Sequence, residues 1–372
     1  MRSIVPKLAV IGTTMATALF WSTPAQAHAW ACGATVSGTV NLNHDLHCHG
    51  DGLVLLNGSL NLHGHTIYGD GTGTGVAVAG DTATADEAAI TNGTITGFVI
   101  DVEHLGSDDL TLNLTKLELS GTSDAAIRTQ PNTVGTFDHL RVTDNARFGI
   151  DLGFGGHVVM SHSVIDHNGL GIALNSDASI DLVKATIRNN DSAINCSEGR
   201  IGLKASEVSH NGSGISMFLC EGSVLDESSF IGNGMAASEE VAGFPGIAEP
   251  TLTVTNDVFQ DNVIGLHLTP LATTTVVRDT VFRHNHSGIV MDVCGPFDVC
   301  VPVNDELVGN VFTRNTHDGV TWGYGTVSLS RNHFNNNGGW GFIADPSAVV
   351  VDGGGNMADG NGAGDCQGLS CS

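Results

Sequence analysis

Histidine, lysine, arginine and aspartate recur at a common interval in the middle of this 372-residue chain. His139, His162 and Lys184 follow one another after 23 and 22 residues, and Arg188 follows Asp166 after 22. If successive turns of a repeating structure stack these columns on one outer face, His162, Lys184, Asp166 and Arg188 fall within about 10 Å of one another. Imidazole and carboxylate move protons near neutral pH, while lysine and arginine neutralise an anionic carboxylate. We therefore take these four as the expected catalytic set. β-Elimination or C5 epimerisation of a uronate would use them, as would acid-base hydrolysis of a glycosidic bond. The alternative is a solvated face on which polar residues must occur somewhere.

Three further groups of residues carry possible chemistry. Asp144, His167, Asn189, His210, Asp261, His284, Arg314 and Asn336 form a second polar column, broken at Gly232, along which a sugar polymer could lie. Trp322, Tyr324 and Trp340 are the aromatic side chains suited to stacking on sugar rings, unless they form a hydrophobic lid over the C-terminal end of the core. With His167 and His210 they make the expected substrate-binding set. His44, His47, His49, His63 and His65 crowd 22 residues and are candidate ligands for Zn²⁺ or Cu²⁺. Near the C-terminus Asp352, Asp359 and Asp365 offer oxygen ligands, making Ca²⁺ the candidate cation; a glycine-rich cap accounts for them equally well.

A repeat must position these residues, and it is read from asparagine. Asn145, Asn168, Asn190, Asn211, Asn233, Asn262, Asn285, Asn315 and Asn337 stand 21 to 30 residues apart, mostly 22 or 23. The two long intervals mark insertions, one between Gly234 and Pro250 and one containing Cys294 and Cys300. Three residues before each asparagine the chain is always apolar, from Val142 through Ile187 to Phe334. Eight before it stand Met160, Leu182, Leu203 and their successors, and four or five after it Ile150, Ile172, Ile194 and theirs. Each repeat thus donates three apolar stations on short β-prone segments separated by Gly, Asn, Asp and Ser. The 3.6-residue period of a helix is missing. Units too short to fold alone become stable by stacking in parallel at about 4.8 Å, and a dozen of them make a rod near 60 Å long. Each buried asparagine amide can then bond the turn above and below it.

Composition agrees. Glycine contributes 49 residues, about 13% against an ordinary 7% or so, which excludes coiled coils and helical bundles. Residues 1–27 read as a signal peptide: basic Arg2 and Lys7, an apolar run from Leu8 to Trp21, and the small-x-small site Ala25-Gln26-Ala27. Its removal leaves 12 basic against 39 acidic residues, a net charge of −27, a surface that repels nucleic acid and anionic membranes. No later segment is long and apolar enough to span a bilayer as a helix. All eight cysteines follow the leader, and an even count in an exported chain favours disulfides. Sequence order pairs Cys32 with Cys48, Cys196 with Cys220, Cys294 with Cys300, and Cys366 with Cys371.

These repeats, with the opening CGATVSGTVNLNHDLHCHGDGLVLLNGSLNLHGHTIYGDGTGTGV and the ending GGGNMADGNGAGDCQGLSCS, resemble the secreted right-handed parallel β-helix proteins with short pectate-lyase-like repeats, including the NosD-type carbohydrate-binding and sugar-hydrolase helices. The resemblance covers the mature chain. It implies an all-β, single-stranded right-handed solenoid: cap and first coils over 28–68, β-helix over 69–350, and a C-terminal cap over 351–372. The aspartate pairs with His-Gly and Arg-x-Lys of polygalacturonase-like hydrolases are missing, as is the Asp-Pro-His-Asp of mannuronan epimerase-like enzymes. Two functions stay open. One is a secreted, extracellular protein, with cell-surface attachment as an option, that binds or processes a polysaccharide or cell-envelope glycan; as an enzyme it would be a polysaccharide lyase, C5-epimerase or glycoside hydrolase. The other is a non-catalytic surface-structural or adhesin-like rod. A monomer is expected.

Overall fold

The computed structural model describes residues 30–80, 86–106, 109–220, 222–240, 251–269, 274–294 and 304–372. The expected leader over 1–27 lies outside them. Among the described residues there are 39 strands and no helix. They wind into a parallel solenoid of about 13 turns. One coil shows the plan: His157–Ser161 forms a first strand, Val164–Asp166 a short second and Leu170–Leu174 a third. Each pairs in parallel with its counterpart one coil on, so Met160 lies over Leu182, Ile165 over Ile187 and Ile172 over Ile194.

Period-2 alternation sends the three expected apolar stations inward. Every one of them, from Val142 to Phe342, is at most 1% exposed. In the later coils the station before the asparagine becomes a stack of rings: Phe230, Phe259, Phe282, Phe312 and Phe334, with successive centroids 4.5, 4.7, 4.9 and 5.2 Å apart. Such spacing follows the rise of the coils and holds each ring against the next.

The asparagines form a continuous buried ladder. In each, Nδ2 donates to Oδ1 of the next asparagine, which also accepts the first one's backbone N–H; Asn190 meets Asn211 at 3.0 Å in both bonds. A second ladder runs five residues earlier, through Ser206, Ser228, Asp257, Thr280, Asn310, Asn332 and Asn356. Its mixed chemistry hides it in the sequence, because serine, threonine, aspartate and asparagine all supply the one needed acceptor oxygen.

Cys32–Cys48, Cys196–Cys220 and Cys366–Cys371 form the expected disulfides. Cys294 is disulfide-bonded too, and its expected partner Cys300 lies outside the described residues. Both long insertions leave the coil at one corner, between a third strand and the next first strand. Residues 351–372 continue the solenoid: Val349–Asp352, Met357–Asp359 and Gly364–Gln367 make a further coil paired in parallel with the one before.

Candidate functional site

The two polar columns occupy the two tight turns of each coil, and both sit in left-handed backbone conformation. His139, His162, Lys184, Ala205, Glu227, Asn256, Asp279, Gly309 and Arg331, at the first turn, have φ between 48° and 69°. Asp144, His167, Asn189, His210, Gly232, Asp261, His284, Arg314 and Asn336, at the second, have φ between 54° and 65°. Glycine meets no steric cost there, and asparagine, aspartate and histidine tolerate it best of the others. Gly232 therefore continues the second column instead of breaking it. His167 and His210 are exposed as expected, but their residue type answers first to the backbone. Asp144, His167 and Asn189 do line one open, shallow depression of about 470 Å³.

The expected catalytic set divides into two pairs. His162 and Asp166 lie at opposite ends of the strand Val164–Asp166, roughly 10–13 Å apart. At the second turn Asp166 is nearly buried and receives Arg188 Nη2 at 3.2 Å, Asn189 Nδ2 at 2.9 Å and His167 Nδ1 at 2.8 Å. Burial works to raise the Asp166 pKa, but the Asn189 amide, Arg188 and His167 outweigh it and hold the carboxyl below its usual value. At the first turn His162 Nδ1 lies 3.2 Å from Asp138, not near Asp166, and its ring stacks on His139 with centroids 5.0 Å apart. Lys184 takes the next step of that turn column.

The structure separates the members of two expected sets. Trp322 is fully buried, in the interior column that also holds Leu268 and Met291, so it has no face for a sugar. The signal was available: Trp322 stands two residues after the interior Val320, and alternation puts both on one side. Tyr324 and Trp340 are half-buried, with Gly364 packed beneath the Trp340 ring. The five N-terminal histidines do not converge. His44 contacts Asn43, His49 contacts Asp70, His63 contacts Asn41 and His65 contacts Asp45, while His47 stacks on Tyr68. Their positions on separate turns and coils give each its own neighbour. Two of the three C-terminal acids serve the ladders: Asp365 accepts the amide of Asn361 and Asp352 that of Asn356, each at 2.9 Å, where the two ladders end.

Sequence reasoning missed a depression of about 360 Å³ on the outer face of the first strands. Val183 and Val224 contribute its outward apolar side chains, and Asp181, Arg200, Lys204 and Asp226 its charged rim. Arg200 Nη2 donates to both oxygens of Asp181, at 2.9 and 3.1 Å, and Lys204 Nζ donates to Asp226 at 2.9 Å. Gly202 keeps the space open, since a Cβ there would lie 2.2 Å from Asp181 Oδ1. The bond to Asp226 raises the Lys204 pKa, and the same bond lowers that of Asp226, so both stay charged. These residues face outward between inward stations, where the columns read from the sequence did not look.

Carboxyls with pKa values raised toward neutrality lie elsewhere. Burial lifts Asp257 to about 8 and Asp305 to about 7, and raises Asp101 as well. All three are inside the solenoid, out of a polymer's reach.

Comparison with known proteins matches residues 32–192 and 102–247 to the right handed beta helix region. No curated protein sequence matches. Among solved structures, the A-module of mannuronan C-5 epimerase AlgE4 from Azotobacter vinelandii is similar at 12% identity and a TM-score of 0.48, over 90% of this chain and 91% of that one. The catalytic unit of a GH87 α-1,3-glucanase from Streptomyces thermodiastaticus strain HF3-3 is similar at 14% identity and a TM-score of 0.38, over 88% and 64%.

Proposed function

Since the chain belongs to the right-handed β-helix family, whose rods present the same face coil after coil, we propose that it binds a neutral polysaccharide along the outer face of its first strands. The depression bounded by Asp181, Arg200, Lys204 and Asp226 carries this reading. An apolar floor suits the non-polar face of a sugar ring, and a charged rim suits its hydroxyls. Each cation there is already neutralised by a carboxylate, leaving no free positive charge for a uronate. The acidity of the whole chain favours the same choice.

Binding without turnover fits the rim better than catalysis does. Lys204 stays protonated and Asp226 ionised, so neither matches the poised acid or base that proton transfer requires. The described disulfides support a site of action outside the reducing cytoplasm. The test is a panel of neutral and uronate polymers, with and without Ca²⁺, followed by affinity electrophoresis, reducing-end assay and ultraviolet absorbance. We expect retention on a neutral polymer, weakened at least about tenfold by Arg200→Ala with Lys204→Ala, and no new ends. New reducing ends would replace this reading with a hydrolase, and absorbing unsaturated ends with a lyase.

A further inference from the structure

One cluster of side chains lies apart from that depression and from the ladders. Asp138 ends the first strand Val134–Asp138, His139 follows it in the turn, and His162 occupies the same turn position one coil later. His139 Nδ1 lies 2.7 Å from Asp138 Oδ2, and His162 Nδ1 lies 3.2 Å from Asp138 Oδ1. One donor atom from each of the three falls within 4.8 Å of the others. No other three histidine, cysteine or acidic residues among the described residues meet that condition.

We propose that Asp138, His139 and His162 bind a divalent transition-metal ion. Two imidazole nitrogens and one carboxylate oxygen suit Zn²⁺ or Cu²⁺, whereas Ca²⁺ and Mg²⁺ take oxygen ligands. Such ligands stand about 2.0–2.2 Å from the ion, and the three donors lie close enough together to share one. The scaffold fixes the donors, because both histidines are held at equivalent turn positions of hydrogen-bonded coils. Ser161 Oγ donates to Asp138 Oδ1 at 2.6 Å and orients the carboxylate as an outer partner of a metal ligand does. Three protein donors on an exposed turn leave a coordination position open to water or an anion. Lys116 and Lys184 hold the same turn position on the flanking coils and would favour an anion in that place. The site stands independently of the glycan reading.

The experiment is equilibrium dialysis of the untagged mature protein against Zn²⁺, with Ca²⁺ in a parallel arm, beside the His139→Asn/His162→Asn double variant. Asparagine accepts the left-handed turn, as Asn189 and Asn256 do, and the variant keeps every other histidine. We expect one tight Zn²⁺ per chain, at least about tenfold weaker in the variant, and no comparable Ca²⁺ binding. Electron paramagnetic resonance of Cu²⁺ on the unaltered protein should show two nitrogen ligands, a readout that does not depend on the variant's folding. Absence of Zn²⁺ binding, binding unchanged in the folded variant, or a copper spectrum without nitrogen ligands overturns the proposal.

Discussion

Asp257 Oδ1 accepts the backbone N–H of Ser228 at 2.6 Å, the bond that Asn310 Oδ1 offers Thr280 at 3.0 Å further along the same ladder. Asp257 thus does an asparagine's work with a carboxyl. Its other oxygen has no partner among the described residues, and Asp305 Oδ2 is in the same state.

The pH dependence of stability follows. Burial raises Asp257 to about 8 and Asp305 to about 7, against about 3.9 in an unfolded chain, so the folded state holds more protons between those values. Their contribution is complete below about pH 4 and is lost as pH rises through 7 and 8. Asp257→Asn keeps the acceptor and gains a donor that can reach a backbone carbonyl, as Asn310 reaches Val277. We expect the variant to be more stable by about 1–3 kcal/mol at pH 9 and little changed at pH 5, as read by urea unfolding at both values.

The first ladder can be cut at its middle. Asn211 Nδ2 donates to Asn233 Oδ1, Ile187 O and Ser209 O, and its Oδ1 accepts two bonds from Asn190. Asn211→Ala strands several buried groups at once and should cost about 3 kcal/mol or more. Chemical denaturation measures this, with Asn211→Asp as the variant that keeps the acceptor alone.

At the second turn, backbone conformation and ligand binding predict different substitution patterns. His167→Asn and His210→Asn should leave the melting temperature unchanged, while His167→Val should cost about 1–2 kcal/mol because a β-branched residue resists positive φ. Equal losses with asparagine and valine would show that the imidazole, not the turn, is what matters.

In the depression, Gly202→Ala should push the Asp181 carboxylate away from Arg200 and reduce affinity for the bound polymer by about tenfold or more. Titration of the variant with the polymer retained by the parent protein checks this. Retained affinity would remove this face from the binding surface.

The Cys196–Cys220 bridge ties a 24-residue separation, close to one coil. Replacing both cysteines by serine should lower stability by about 3 kcal/mol through the freed unfolded chain. Melting curves of the variant and of the parent protein would give the difference.

The asparagine interval and the three apolar stations were enough to read a stacked parallel solenoid, because each obeys a rule that depends only on position within a coil. Val142, Ile165 and Ile187 must share an interior if they recur at one station between the same turn residues. Function is less legible, because histidine, aspartate and asparagine at the turns meet a backbone demand and resemble a polar binding column in doing so. Tertiary structure decided which carboxylate His162 faces: Asp138, one coil back, and not Asp166, four residues ahead on the far side of a strand. It also buried Trp322, exposed the Asp181–Arg200 and Lys204–Asp226 pairs beside Gly202, and set Asp352 and Asp365 at the ends of two ladders. Those outcomes rest on side-chain reach between neighbouring coils, and the order of residues along one chain does not state that distance.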